Sequence, residues 1–280
     1  MIVLKGVEAT RKMKEEVKEL LAEMNGRIPK AAIIRVGEKD DDKSYERGAM
    51  KRITGFGMEA ESYVFPEDIS EEDFKKEFMK INDDPAIDGI LLLRPLPKHI
   101  DGHMPELLIH PEKDLDGISL INTAKVFGGE KGGYAPCTAK AVIEVLKAYD
   151  IPLEGKNVVV VGRSMVVGRP LSMLLLKENA TVTICHTRTK NMKEITQKAD
   201  IIVACAGKAE LLDADFVGKD AVVIDVGIHV REDGSMCGDV KWDGLEEKAA
   251  AATPVPGGVG AVTTAVLAKH LCEAAKSSMK

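Results

Sequence analysis

The sequence predicts an α/β protein with two domains, each built on a mostly parallel sheet. The chain has 280 residues, enough for two hydrophobic cores, although length alone also permits one large domain. Short apolar runs typical of strands alternate with segments of helical periodicity along most of the chain. In the second half, four β-branched runs each end in glycine or a polar residue, which indicates a doubly wound sheet.

The first half predicts three strands separated by helices. The strand-like runs are AAIIRVG (31–37), ESYVF (61–65) and GILLLRPL (89–96), and the helical patterns cover residues near 7–25, 43–55 and 70–82. The last helix has Ser70 as its expected N-cap, with Asp73 three residues later. The Gly-rich stretch 111–135 is expected to cross between the domains.

The second half predicts a further α/β series. Its strands are KNVVVVG (156–162), ATVTICH (180–186), IIVACAG (201–207) and AVVIDVG (221–227), and its helices are AKAVIEVLKAY (139–149) and GRPLSMLLLKEN (168–179). A long helix, AVTTAVLAKHLCEAAKSS (261–278), ends the series. Periodicity does not decide which domain this helix packs against.

Composition excludes several classes of function. A net charge of −6 without a basic stripe argues against general nucleic-acid binding. No apolar run reaches the length of a membrane span. The five cysteines form no CxxC pair and the six histidines no HExxH pattern, so we expect no metal site. The N-terminus becomes polar too early for a signal peptide, which predicts a cytoplasmic protein.

The segment VVVVGRSMVVGRP (158–170) indicates an anion-binding turn. A buried strand breaks at Gly162, and Gly168 begins the next helix, where free backbone N–H groups bind a pyrophosphate. Arg163 and Ser164 lie in the loop between them. The plainer interpretation is a tight turn that needs glycine only for its geometry.

The end of the following strand favours NADP over NAD. An NAD site usually has a carboxylate about twenty residues after the glycine loop, but here the chain has CHTRTKN, with Thr187 and Arg188. A hydroxyl and a cation fit a 2′-phosphate. Arg188 as a solvated surface charge is the alternative.

Two further motifs are candidate ligand sites. TPVPGGVGAVTTAVL (253–267) combines two prolines that fix the chain with glycines that permit close backbone approach, as in the wall of a site for a flat ligand. KDLDG (113–117) has two carboxylates before a glycine, which as an isolated pattern indicates a turn.

Together and in this order, these motifs resemble the methylenetetrahydrofolate dehydrogenase/cyclohydrolase family, from about Val3 to the C-terminal helix. VGRSMVVGRP matches VGRSxxVGxP, TPVPGGVGAVT matches TPVPGGVGPMT, and KDLDG matches KDVDG. PCTAK and RPLPKHI match PCTPx and LPLPxHI. Two family prolines are replaced, by Ala139 and Ala261, at little expected cost.

The resemblance implies an N-terminal folate domain (1–119), a Rossmann-like NADP domain (120–264) and a cleft between them, with helix 265–280 packed back on the first domain. It implies a cytoplasmic homodimer that acts on tetrahydrofolate derivatives in one-carbon metabolism. Tyr45 and Asp116 would be the catalytic residues and would also bind the substrate, together with Leu93, Arg94, Pro256, Gly257 and Gly258. The cofactor would contact Gly162, Arg163, Ser164, Gly168, Thr187, Arg188 and Ile228.

The chain departs from the family at two linked positions. The family tyrosine is followed four residues later by a lysine on the same helical face, but here that residue is Ala49. Lys51 lies six residues after Tyr45, about 600° of helical rotation, and therefore points elsewhere. The family glutamine that interacts with the lysine corresponds to Leu93.

These departures predict a dehydrogenase with weak or absent cyclohydrolase activity. Three alternatives remain open. In the first, Arg94 supplies the lost cation and the enzyme is fully bifunctional. In the second, the chain is an inactive paralogue that binds folate or NADP. In the third, it is another NADP-linked dehydrogenase on a similar two-domain plan, such as one acting on shikimate or an amino acid.

Overall fold

The structure is a computed structural model that describes residues 1–279 of the chain. It divides into two compact α/β units, which confirms the predicted fold class. The six-stranded unit comprises Met1–Lys12 and Thr138–Thr263. The three-stranded unit comprises Met13–Cys137 and the chain from Thr264 onward, so most of the C-terminal helix belongs to it.

The three-stranded unit contains a parallel sheet in the order β3-β2-β4. Its strands are β2 (Lys30–Val36), β3 (Glu59–Phe65) and β4 (Gly89–Leu92), and its helices are α2 (Asp40–Gly55), α3 (Glu71–Asp83), α4 (His103–Leu108) and α5 (Leu120–Gly128). Phe74 and Phe78 of α3 are fully buried in the core on one face of this sheet. Burial of each ring contributes roughly 2–3 kcal/mol of transfer free energy.

The six-stranded unit contains an all-parallel sheet in the order β1-β11-β8-β7-β5-β6. Its strands are β1 (Ile2–Val3), β5 (Asn157–Val161), β6 (Thr181–Cys185), β7 (Ile201–Ala204), β8 (Val222–Asp225) and β11 (Ala251–Ala252). A separate antiparallel pair consists of β9 (His229–Val230) and β10 (Met236–Cys237). The helices α7 (Gly168–Lys177) and α8 (Met192–Thr196) lie within this unit.

Three helices contain a boundary between the units or begin next to one. They are α1 (Gly6–Ala22), α6 (Cys137–Ala148) and α9 (Gly260–Ser277). The chain order reverses at β5, since β6 pairs on one side of it and β7 on the other. The carboxyl end of β5 is therefore the topological switch point where ligands bind in such sheets.

Most predicted elements agree with the structure to within a few residues. The Oγ atom of Ser70 accepts a hydrogen bond from the N–H of Asp73 at 3.1 Å, so the predicted cap is confirmed. The strand expected over 89–96 ends at Leu92, because Pro95 has no N–H to continue the ladder. The two-residue strands β1 and β11 are too short to give a periodic signal.

The stretch 111–135 is more than a crossing, because it contains α5 and folds around one buried carboxylate. Asp114 is 1% exposed and accepts hydrogen bonds from the N–H groups of Ile118 at 2.9 Å and Ser119 at 2.8 Å. The side-chain amide of Asn122 donates to the same carboxylate at 2.8 Å. These bonds tie α5 to the three-stranded unit. The chain passes from this unit to the six-stranded unit between Cys137 and Thr138.

Replacement of Asp114 by alanine should destabilise the protein by roughly 3 kcal/mol, because three buried donors lose their acceptor. Urea unfolding followed by circular dichroism measures the change. Glu112→Ala, at an exposed position two residues earlier, is the matched control and should shift the free energy of unfolding by less than about 0.5 kcal/mol. Equal effects of the two substitutions would contradict this account.

Candidate functional site

The carboxyl edge of the three-stranded sheet brings three predicted residues together. Leu93 and Arg94 follow directly after β4. The KDLDG segment runs parallel beside β4, with Asp114 opposite Ile90. Asp116, two residues further along, therefore reaches the same end of the sheet as Leu93 and Arg94.

Tyr45 lies in the second turn of α2, which follows the central strand β2. Its side chain is half-buried. Burial, followed by the electrostatic effects of Cys137 and Asp116, raises the pKa of Tyr45 well above its ordinary value. The phenol is therefore neutral at physiological pH and close to Asp116. It can donate a hydrogen bond or pack against a flat ligand, but it is not a base.

Helix α2 places Ala49 one turn after Tyr45 on the same face. Ala49 is completely buried. Lys51 is exposed to solvent, as expected from its six-residue separation from Tyr45. The position that would present an ammonium group in the family motif is thus a methyl group here.

Arg94 is engaged by α4. Its Nη1 atom donates to Oε1 of Glu106 at 3.1 Å, and the other carboxylate oxygen of Glu106 lies 2.9 Å from Nδ1 of His103. Arg94 is nevertheless close enough to Asp116 for its charge to act on that carboxyl. The guanidinium thus has a fixed acidic partner at the edge of the site.

Asp116 is held by Cys137. The backbone N–H of Cys137 donates to Oδ1 of Asp116 at 2.9 Å. Burial raises the pKa of the Asp116 carboxyl, while the Cys137 hydrogen bonds and the charge of Arg94 act against that rise. From the sequence alone, Cys137 is only one of five scattered cysteines. Its position in the PCTAK motif was the signal that could have indicated a role.

In the six-stranded unit, the turn after β5 can be built only with glycine. Gly162 has φ +141°, and a Cβ atom there would lie 2.2 Å from the carbonyl oxygen of Cys205. A Cβ on Gly168 would lie 2.2 Å from the carbonyl oxygen of Gly162. Arg163 and Ser164 are exposed in the loop, and α7 begins at Gly168 without a side-chain cap. This close-wound loop before an uncapped helix fits the phosphates of a dinucleotide.

Thr187 and Arg188 follow β6, the strand next to this turn. β6 pairs in parallel with β5, and the N–H of Gly162 donates to the carbonyl of Cys185 at 2.9 Å. Thr187 and Arg188 follow two and three residues later and are exposed. A hydroxyl and a guanidinium beside the glycine turn fit the phosphorylated ribose of NADP.

A cavity of about 300 Å³ lies further along the carboxyl edge of the same sheet. It is lined by Ile228, which follows β8, and by Pro256, Gly257 and Gly258, which follow β11. The side chain of Ile228 is half exposed and would meet a Cβ atom on Gly260 at 2.9 Å. Glycine at position 260 therefore leaves space for Ile228 at the cavity wall.

The predicted site residues thus form two groups. Tyr45, Leu93, Arg94 and Asp116 belong to the three-stranded unit, whereas the glycine turn, Thr187, Arg188, Ile228 and the 256–258 loop belong to the six-stranded unit. Residues 1–279 contain no cluster of His, Cys, Asp or Glu that could hold a metal ion. Within the same range, no helix has the length and apolar character needed to traverse a lipid bilayer.

Comparison with known proteins matches two family models to the chain. Residues 4–116 match the catalytic domain of tetrahydrofolate dehydrogenase/cyclohydrolase, and residues 136–279 match its NAD(P)-binding domain. A relative from Clostridioides difficile (strain 630), named bifunctional protein FolD, is 49% identical over 276 residues, which cover 98% of this chain and 96% of the relative.

Solved structures agree. The bifunctional FolD enzyme, methylenetetrahydrofolate dehydrogenase/cyclohydrolase, of Campylobacter jejuni has a TM-score of 0.95 and 36% identity, with 99% of both chains covered. The Trypanosoma brucei FolD, solved with NADP and an inhibitor, has a TM-score of 0.91 and 33% identity, covering 100% of this chain and 99% of its own. On the two family models and the near full-length relative, the chain belongs to the tetrahydrofolate dehydrogenase/cyclohydrolase family.

Proposed function

We propose that this protein is an NADP-dependent 5,10-methylenetetrahydrofolate dehydrogenase whose 5,10-methenyltetrahydrofolate cyclohydrolase activity is weak or absent. Family membership supports the first half of the proposal. The observation that carries the second half is the completely buried Ala49, one turn from Tyr45, where the family motif has a lysine. We further propose that it is a cytoplasmic protein and forms a homodimer. Light scattering of the purified protein tests the dimer.

On the substrate side, Asp116 and Tyr45 bind the folate. The Asp116 carboxylate is oriented by Cys137 and accepts hydrogen bonds from the N–H edge of the pterin. The neutral phenol of Tyr45 offers a flat surface for the ring system. Both groups position the substrate without taking or giving a proton.

The dehydrogenase step can proceed in a site without a side chain that takes or gives a proton. Hydride leaves a carbon that lies between two nitrogens, and their lone pairs stabilise the cation that forms. No side-chain base is needed, so the chain contributes mainly by holding the reactants in register.

The cyclohydrolase step, in contrast, depends on a group that polarises water and moves protons. Water adds to the methenyl cation, and protons move as the ring opens, so a polarising ammonium group contributes to the rate. Ala49 and the buried Leu93 present only hydrocarbon at the two positions where the family motif has lysine and glutamine. Removal of a positioned acid–base group costs on the order of 10²–10⁴ in rate.

The cofactor is NADP, whose nicotinamide accepts the hydride. Gly162, Arg163, Ser164 and Gly168 would surround its phosphates at the switch point of the sheet, and Thr187 with Arg188 would bind the 2′-phosphate. Ile228 and the 256–258 loop would line the nicotinamide end of the site. These assignments rest on the common carboxyl edge of the strands that carry them.

A fully bifunctional enzyme is the second candidate, because relatives at 45–50% identity are named bifunctional proteins. In that case Arg94 would supply the cation. Its salt bridge to Glu106 at 3.1 Å argues against this role, since the guanidinium already has a carboxylate partner. Arg94→Leu separates the two candidates: it would abolish methenyltetrahydrofolate hydrolysis in a bifunctional enzyme and leave a background rate unchanged in the proposed one.

The proposed function is tested with the purified chain and both folate substrates. We expect NADPH to form from methylenetetrahydrofolate, while methenyltetrahydrofolate is hydrolysed at less than about a hundredth of that rate above buffer. Spectrophotometry follows both reactions. Comparable rates would overturn the hydrolysis half of the proposal, and absence of NADPH formation would overturn the dehydrogenase half.

Restoring the family pair should restore hydrolysis. In the double variant Ala49→Lys and Leu93→Gln, the lysine has its amide partner, and we expect methenyltetrahydrofolate hydrolysis to rise at least about tenfold. Lys51→Arg, which keeps the charge of the exposed lysine on the same helix, is the control and should change neither rate. A folded double variant without any gain would show that the pair does not explain the loss.

Arg188 should determine the preference for NADP. Arg188→Ala removes a charge-assisted contact to the 2′-phosphate, so KM for NADP should rise about tenfold or more, while KM for NAD changes little. Lys190→Ala, an exposed cation two residues later, is the matched control. Steady-state kinetics with both cofactors measures the ratio. An equal change for NADP and NAD would contradict a 2′-phosphate contact.

A further inference from the structure

We propose that His270 of the C-terminal helix is a positioning residue that fixes Asp116 for folate binding. The inference rests on the proposed function, because Asp116 is taken as the carboxylate that binds the pterin. It adds a residue that acts on the site through the backbone rather than through contact with substrate.

The imidazole of His270 is buried and donates to one carbonyl. Nδ1 lies 2.8 Å from the carbonyl oxygen of Leu115. A carbonyl oxygen only accepts hydrogen bonds, so Nδ1 carries a proton. The thiol of Cys137 donates to the same oxygen at 3.2 Å, and its sulfur lies 3.9 Å from Nδ1. Two donors from two helices therefore converge on the peptide bond that precedes Asp116.

Leu115 is immobilised on its other sides as well. Its N–H donates to the carbonyl of Ile90 at 3.2 Å, and its side chain is completely buried against Gly89, where a Cβ atom would lie 2.5 Å from Cδ2. With N–H, side chain and carbonyl all fixed, the plane of the Leu115–Asp116 peptide bond has one orientation. That plane, together with the φ angle of Asp116, sets the direction in which the Asp116 side chain leaves the backbone.

The segment after Asp116 is in contact with the backbone of Tyr134. A Cβ atom on Gly117 would lie 2.4 Å from the carbonyl oxygen of Tyr134, so the two backbones are in direct contact. The ring of Tyr134 packs on the ring of His270 at 5.0 Å between centroids. Tyr134 thus restrains the imidazole that restrains the carbonyl. Loss of the Nδ1 donor should relax the Asp116 backbone without removing any group that touches the folate.

The test compares two substitutions that differ only in donor ability at the δ position. His270→Asn places an amide N–H where Nδ1 stands, and His270→Leu places a methyl group there. We expect His270→Leu to raise the Kd for tetrahydrofolate about tenfold and His270→Asn to raise it less than about threefold, because only the leucine leaves the carbonyl with one donor. Calorimetry measures tetrahydrofolate and NADP in parallel, and the Kd for NADP should stay within twofold in both variants.

Several results would overturn the inference. These are equal tetrahydrofolate affinity in the leucine variant and the wild type, a parallel loss of NADP affinity, failure of asparagine to rescue, or a wild type that binds no tetrahydrofolate. A wild type that binds tetrahydrofolate but forms no NADPH contradicts the proposed function and still allows the comparison. If His270→Leu does not fold, His270→Gln provides the second comparison with His270→Asn, because its amide reaches the ε position and leaves the δ position without a donor; a loss of tetrahydrofolate affinity is expected for glutamine alone.

Discussion

The buried carboxylate of Asp114 is the constraint on which the candidate site of the three-stranded unit depends. A charged group at 1% exposure is tolerated only if hydrogen bonds replace its water, and here two backbone N–H groups and one amide do so. This forces the chain to turn immediately after the segment that pairs with β4. The turn orients the next carboxylate, Asp116, toward the open end of the sheet. One acidic residue of KDLDG therefore builds the loop, and the other is the one we propose to bind the folate.

In both units, the candidate site residues lie where the parallel strands end. In the six-stranded unit, this arrangement depends on close backbone contacts. Gly162 and Gly168 allow backbone segments to approach so closely that any side chain would collide with a carbonyl. In the three-stranded unit, it depends on carboxylates that accept hydrogen bonds from backbone N–H groups. The first arrangement leaves room for phosphates, and the second fixes a hydrogen-bond acceptor.

The sequence predicted what local patterns encode. Strands β5 to β8 and helix α3 with its Ser70 cap were confirmed, because period and capping depend on neighbouring residues. Helix α5 was missed since its residues lie in a Gly-rich, polar stretch and its stability comes from the tertiary bond between Asn122 and Asp114. The hydrogen bonds of Cys137 and His270 to the carbonyl of Leu115 could not be predicted either, because His270 is 155 residues from Leu115. Local sequence patterns do not indicate contacts between residues so far apart in the chain.

The joint loss of the family lysine and glutamine has a physical reason in this environment. Position 49 is completely inaccessible to solvent and position 93 nearly so. A lone ammonium or a lone amide at such positions would be left without its partner, at a cost of about 1–3 kcal/mol for the amide and more for the charge. An apolar pair carries no such penalty, so the two positions are expected to change together. Burial, followed by the electrostatic effects of Cys137 and Asp116, raises the pKa of Tyr45, so its phenol stays protonated. In the proposed function, these groups would bind and orient a flat, hydrogen-bonding ring without a group to move its protons, a combination compatible with hydride transfer and unfavourable to hydrolysis.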